Sequence, residues 1–570
     1  MWKASDNDYS GYFPSMPNNT GFDFGQAPGL PYGAEWNFCL PTLQDPRQLP
    51  PEMTTSPEHF TEIVAAAIQN GYPEHEIESG IASSGWSNQH LLDKINGTVM
   101  GFPVIFYAVA RNDLSIIRLI VRYGGNVNSS CGNPPVPLLA FAIIHSKTIE
   151  WDTTEMLAAL LSLGADASVL PNAFYTPFYE ALPGAGPDET DLGDMSDLKL
   201  QWCKPPDVRS KLAEVLNITQ RYHLHQASRL PKPTERQKQV ARRNGSENLF
   251  GVPYFMIGQR AAVQMLQKHL LHYMLMPRKD PLVLVFAGPS GHGKTELARR
   301  LGAILSLDLH VSDCSIVSRE NELFGARAEY CGGLSGAPLN NILARNSGKR
   351  CIVFLDEFEK TNQGVWNSLL LPFGNGQYED RRSKKLIDCT NTIWILATNA
   401  LDWFIVNHCD DNPEIFDDED NPKKEEILKE LVEEMEGHFI NNFSAPVAGR
   451  VSAFIPFVPF SPAETYVGIH KYLLQLAADV RQPVNESLTA GNIKLIFKFD
   501  IALCKTLAKN YTSDLGVRCL KKAVKDRVGV PLSQVYLDTE EPMRDGGPME
   551  EFEVIAVKDK ISVKRVLSIL

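Results

Sequence analysis

Residues 283–295, VLVFAGPSGHGKT, constrain this chain more than any other stretch. Leu282 to Ala287 are almost all apolar and rich in β-branched and aromatic side chains, which predicts a fully buried parallel strand. Gly288, four intervening residues, Gly293, Lys294 and Thr295 follow in phosphate-loop order. Residues 296–305, ELARRLGAIL, continue as a good helix. The glycines allow a tight turn whose backbone N–H groups face phosphate oxygens. The helix that follows points its positive end at the same anion. The candidate cradle is therefore Gly288, Pro289, Ser290, Gly291, His292, Gly293, Lys294, Thr295 and Glu296. Lys294 supplies charge to the β- and γ-phosphates, and Thr295 a hydroxyl to Mg2+.

At 570 residues the chain has room for three or so domains of about 100–200 residues each. Its net charge of −13 argues against nucleic acid as the main partner, because phosphate binding needs a basic face. The ten cysteines form no Cys-x-x-Cys pair, which fits reduced thiols in a cytoplasmic or nuclear setting. No apolar run approaches the roughly 20 residues of a membrane span, and no leader pattern opens the chain.

Residues 1–56, rich in Gly, Pro, Asn, Ser and aromatics, are expected to be a disordered tail. Helical patterning begins near Pro57. A repeat follows: PVIFYA from Pro103 returns as PLLAFA from Pro137, and more weakly as TPFYEA from Thr176. Residues 116–128 match residues 156–168 in the same way. Helix, turn, second apolar helix and a Gly-Ala-Asp-type turn at this period resemble ankyrin repeats. Such units must stack to bury their faces, and the stack serves either as a protein-binding surface or as a helical spacer. Residues 57–187 form this region. Residues 188–249 are expected to be a linker, acidic at its start, with a helix over 206–220, and basic over 232–243; the basic run reads as a solvated face or as a contact for an anionic partner.

From about Phe250, strands alternate with helices, which implies an α/β doubly wound parallel sheet. The expected strands are Leu282–Ala287, Leu309–Ser312, Cys351–Leu355, Thr392–Thr398 and Phe454–Phe460. CIVFLDE, 351–357, is an apolar strand ending in Asp-Glu downstream of a phosphate loop, the Walker B arrangement. Asp356 would hold Mg2+, and Glu357 would polarise the attacking water. Acidic residues 410–436 read as an insertion whose second half carries an amphipathic stripe, Ile427, Leu428, Leu431, Val432 and Met435.

Here the motifs become a family match. Residues 250–570 resemble the AAA+ module of Clp-type protein unfoldases and disaggregases. LDEFEK, 355–360, resembles the family's Leu-Asp-Glu-Ile-Glu-Lys, and Ile257-Gly258-Gln259 looks like its adenine-flanking turn. The resemblance implies that Asn399 is the sensor-1 amide and Arg450 the arginine finger supplied to a neighbouring subunit. Leu515-Gly516-Val517-Arg518 resembles the sensor-2 motif, making Arg518 a nucleotide reader on the lid. Tyr330 falls on the substrate-gripping pore aromatic, although Glu329, Cys331 and Gly333 depart from the family's loop; an ordinary packed tyrosine is the other reading. Residues 250–460 are then the large ATPase subdomain and 461–570 a lid of helices followed by a short sheet.

The expected function is ATP-dependent remodelling of unfolded or aggregated protein by a homo-hexamer, with ATP and Mg2+ as cofactors and a protein partner on the ankyrin-like region. The alternative is a nucleotide-dependent scaffold with little turnover. A nucleic-acid motor is disfavoured by charge and by the aromatic pore loop.

Overall fold

The computed structural model describes residues 38–566, apart from 51–55, 195, 277–279, 327–335, 417–421, 485–490 and 540–548. The central sheet contains β1 (Leu282–Ala287), β2 (Leu309–Asp313), β3 (Cys351–Asp356), β4 (Thr392–Thr398) and β5 (Ala453–Pro456). All neighbours run parallel, in the order β5-β1-β4-β3-β2. Successive side chains of a strand point to opposite faces, so a strand buried on both sides must be apolar throughout. Val283, Val285 and Ala287 join Val353, Trp394 and Leu396 on one face, covered by Ile427, Leu431 and Met435 of helix Pro422–Phe443. Leu284 and Phe286 join Ile352, Phe354 and Ile395 on the other, beneath helices Arg260–Leu275 and Lys294–Leu305. The α/β class is the expected one. The parallel order also brings the C-terminal ends of β1, β3 and β4 to one edge, where ligands of such sheets bind.

β5 is shorter than the expected 454–460. Pro456 and Pro459 lack the N–H that a ladder needs, and the chain leaves after Phe457 N donates to Ala287 O at 2.7 Å.

Upstream, two helix pairs repeat: Val104–Ala110 with Leu114–Arg122, and Leu138–Ile149 with Thr154–Ser162. A two-residue antiparallel ribbon precedes each pair. Phe106, Ile117, Phe141 and Leu157 share one core, because each pair alone leaves an apolar face bare. The weaker third echo from Thr176 forms no helix; Phe178 instead enters the core of the lid. Packing also begins before the expected end of the tail. Phe38 is buried in the stack, with its carbonyl 3.2 Å from His145 Nδ1. Residues 1–37 of that tail lie outside the described residues.

The expected linker is the main correction. Residues 188–249 carry helices Pro206–Val215, Ile218–Arg229 and Glu235–Arg243. The middle one is buried from Ile218 to His225. Its polar side chains find partners far away in sequence. Arg221 donates to the carbonyls of Phe174 at 2.9 Å and Pro177 at 2.6 Å, and also to Glu180 O. Gln220 Nε2 donates to Thr153 Oγ1 at 3.1 Å, and Thr219 Oγ1 lies 2.8 Å from His470 Nδ1. Hydrogen-bonded polar groups tolerate burial, so a sequence with few apolar residues still forms a core helix. It wedges between the helical stack and the lid.

The lid packs helices Pro462–Arg481, Asp500–Ala508 and Val517–Val524 against a three-stranded sheet. Glu550–Val557 and Lys560–Arg565 make the short sheet expected after the helices; a third strand, Ile493–Lys498, runs parallel to the first of these and was not foreseen.

Candidate nucleotide site

β1 delivers the chain to Gly288, whose φ of 144° lies outside the range of ordinary side-chain-bearing residues. A Cβ there would lie 2.0 Å from Phe457 O, so only glycine closes this turn against the strand-five segment. Helix Lys294–Leu305 starts immediately after Gly293. Lys294 is 7% exposed. Its Nζ donates to Gly288 O, to Pro289 O at 3.0 Å and to Asn399 Oδ1 at 2.8 Å. Burial pulls its pKa below the usual lysine value, while the charges of Asp402, Glu359 and Asp356 oppose that pull.

Thr295 Oγ1 donates to Asp356 Oδ2 at 3.0 Å, across from the end of β1 to the end of β3. Two oxygen donors meeting beside the phosphate loop fit Mg2+, which keeps several waters and phosphate oxygens in its octahedral shell. Glu357 follows with φ of 54°, and its N–H donates to Asp356 Oδ1 at 3.2 Å. A non-glycine residue held in the left-handed region turns the side chain out of the strand direction. Asn399, at the end of β4, links inward and outward: its Nδ2 donates to Glu359 Oε1 at 3.1 Å and its N–H to Glu359 Oε2 at 3.2 Å. Lys294, Thr295, Asp356, Glu357 and Asn399 are thus brought to one edge of the sheet. Glu296 is exposed and pairs with Arg300 along the helix.

The lid closes directly on this loop. Val517 N donates to Gly291 O at 2.9 Å. His292 is fully buried, its Nε2 3.1 Å from Tyr511 Oη and its ring stacked on Phe460 at 4.8 Å. Burial lowers its pKa to about 4, so the ring is neutral. Ser290 contributes its carbonyl, 3.1 Å from His292 Nδ1. Arg518 is exposed, yet its charge reaches Lys294 and lowers that pKa further. Ile257 packs on the lid core beside Gly258, whose N–H donates to Tyr222 Oη at 2.8 Å. Gln259 holds the other side of the turn through Val458, donating to its carbonyl at 2.7 Å and accepting from its N–H at 3.1 Å.

Arg450 stands apart. Its Nε donates to Leu370 O at 2.9 Å and its Nη1 to Pro446 O at 2.6 Å, not to the phosphate loop. Tyr330 lies outside the described residues.

Three contributors were not singled out in the sequence. Glu359 sits two residues beyond Glu357 within the quoted LDEFEK motif, so its proximity could have been inferred. Asp402 opens helix Asp402–Asp411, and its Oδ1 finds no hydrogen-bond partner among the described residues. Burial raises its pKa, with Glu359 and Asp514 adding to the shift. Tyr511 reaches both His292 and the Phe460 N–H, the latter at 3.1 Å, and no local pattern announces it.

The family described as AAA domain (Cdc48 subfamily) matches residues 280–446. The match covers the phosphate loop and four of the five central strands, β1 to β4. The chain is similar to the chaperone protein ClpB of Chlamydia pneumoniae, 24% identical over 51% of this chain and 31% of that protein. It is also similar to ClpB of Chlamydia trachomatis, 27% identical over 46% and 28%, and of Aquifex aeolicus, 27% identical over 47% and 25%. The chain spans about a third of the length of these relatives or less. A solved structure, a closed-state cryoEM reconstruction of Hsp104 with ATPγS and FITC casein, aligns at 18% identity with a TM-score of 0.43, over 75% of this chain and 68% of that one. Among the described residues no helix is long and apolar enough to cross a membrane.

Proposed function

We propose that this protein hydrolyses ATP and uses the energy to remodel other proteins, as a ring of identical subunits, six in number. The observation that carries the reading is the linked set Lys294–Asn399–Glu359 beside Thr295–Asp356, which puts a lysine, a polar amide and a pair of cation-holding oxygens where a triphosphate bound by the loop would lie. Thr295 and Asp356 would hold Mg2+, which would supply positive charge against the phosphates. Lys294 exchanges its carbonyl partners for β- and γ-phosphate oxygens. Glu357 accepts the proton of the attacking water, and Asn399 orients that water. Arg518 follows the nucleotide from the lid. Arg450, turned toward Leu370 and Pro446, is available to a neighbouring subunit's γ-phosphate rather than to its own.

The substrates are unfolded or aggregated polypeptides, gripped by Tyr330 through broad apolar contact. The similarity to ClpB proteins supports this reading. The two ribbon-and-helix-pair units are ankyrin-like repeats and present a surface for a protein partner. The protein works in the cytoplasm.

The test is Glu357→Gln. ATP affinity should stay within about twofold of wild type, while turnover falls by roughly 10²-fold or more, as expected on removing a general base. Wild-type protein that binds ATP but releases no phosphate, alone or with a model unfolded protein, would refute the reading.

A further inference from the structure

Helix Ile218–Arg229 precedes the AAA-type segment, yet it touches the nucleotide site. Tyr222 is buried and its hydroxyl accepts the Gly258 N–H at 2.8 Å. The turn it holds flanks the phosphate loop: a Cβ on Gly293 would lie 2.6 Å from Met256 Cε, and Phe460 lies between Gly258 and His292. On the ATP reading above, this flank is where the base of a nucleotide whose phosphates occupy the loop is received. The helix itself is fixed at several points. Arg221 is locked on three carbonyls of 174–180, Ile218 N donates to Asp500 Oδ2 at 3.0 Å, and the Phe178 ring packs edge-on against Tyr222 at 5.3 Å. Gly258 takes a positive φ of 65°, a conformation that a free turn samples among others and that this buried hydrogen bond selects together with the Gln259–Val458 pair.

We infer that Tyr222 is a positioning residue for base recognition: its hydroxyl holds the 256–259 turn in the shape that receives the nucleotide base, and so makes the upstream helix part of the nucleotide site. This rests on the ATP reading above. A buried hydrogen bond to backbone sets the turn, so its loss weakens only that part of the ligand which the turn contacts. The phosphate loop makes its own contacts through Lys294 and Thr295 and is untouched by the change.

Tyr222→Phe keeps the ring that packs on Phe178 and removes only the hydroxyl. Titration of the full chain with ATP and with inorganic tripolyphosphate separates the two halves of the site. ATP binding should weaken by on the order of fivefold, with tripolyphosphate binding unchanged and the preference for ATP over GTP reduced. Equal affinities of variant and wild type for ATP would overturn the inference, and so would parallel losses for ATP and tripolyphosphate. A wild-type chain that binds neither ligand would instead strike the ATP reading on which the inference stands.

Discussion

Gly291→Ala should detach the lid from the phosphate loop. Gly291 has a φ of 77°, where an alanine costs roughly 1–2 kcal/mol whatever the lid does. The added Cβ would lie 2.3 Å from Leu515 O and 3.1 Å from its carbonyl carbon, whereas ordinary contact begins near 3.4 Å. Both partners are backbone, so no side chain can swing aside, and the lid turn must retreat by about 1 Å. The bond from Val517 N to Gly291 O, 2.9 Å long, then opens beyond hydrogen-bonding reach. That bond is worth about 0.5–1.5 kcal/mol, and the contact strain adds to it. The docked lid should therefore lose about 1.4 kcal/mol or more relative to the open one, a tenfold change in the equilibrium. Amide hydrogen exchange reads this directly: Val517 should exchange at least tenfold faster in the variant, while amides of β1 keep their protection. Unchanged Val517 protection in a folded Gly291→Ala protein would refute the argument, because the lid would then be shown not to rest on this loop.

Arg450→Ala should leave nucleotide binding by the single chain intact and lower ATPase activity per subunit by about 10³-fold in assembled material, checked by equilibrium titration beside steady-state turnover. Activity retained by the variant would remove Arg450 from the reaction. Acid should weaken the fold through His292. Its folded pKa of about 4 lies below the unfolded 6.5, so the unfolded chain binds more protons between those values and stability falls as pH drops through that window. His292→Gln should reduce the pH slope of denaturation there by about 1.4 kcal/mol per unit, measured by denaturant titration at several pH values. An identical slope in the variant would show that the ring is not held neutral.

The strands of the central sheet were legible because each is a continuous apolar run, and burial on both faces permits nothing else. β1 and β4 match their expected bounds for that reason. The cluster around Lys294 was legible because phosphate chemistry demands particular residues at particular spacings. What escaped was structure stabilised by distant partners. ITQRYHLHQASR, 218–229, has no apolar stripe, and its burial depends on carbonyls near Phe174 and on His470, 251 residues beyond Thr219. Ile493–Lys498 escaped for a related reason. Its pairing partner begins at Glu550, and parallel pairing leaves no turn signal between the two strands. Tyr511 and Asp402 act at the site only because the lid and the end of β4 fold against it.

Phe178, Ile218 and Tyr222 are set in the same core as Val467, Ile469 and Leu520 of the lid. Glu150 and Lys494, 2.7 Å apart, tie the same two bodies at their margin. The helical stack is therefore not a passenger on a tether: helix Ile218–Arg229 joins it to the lid through this core and to the flank of the phosphate loop through Tyr222 and Gly258. A side chain changed on this one helix is felt by the stack, the lid and the 256–259 turn together.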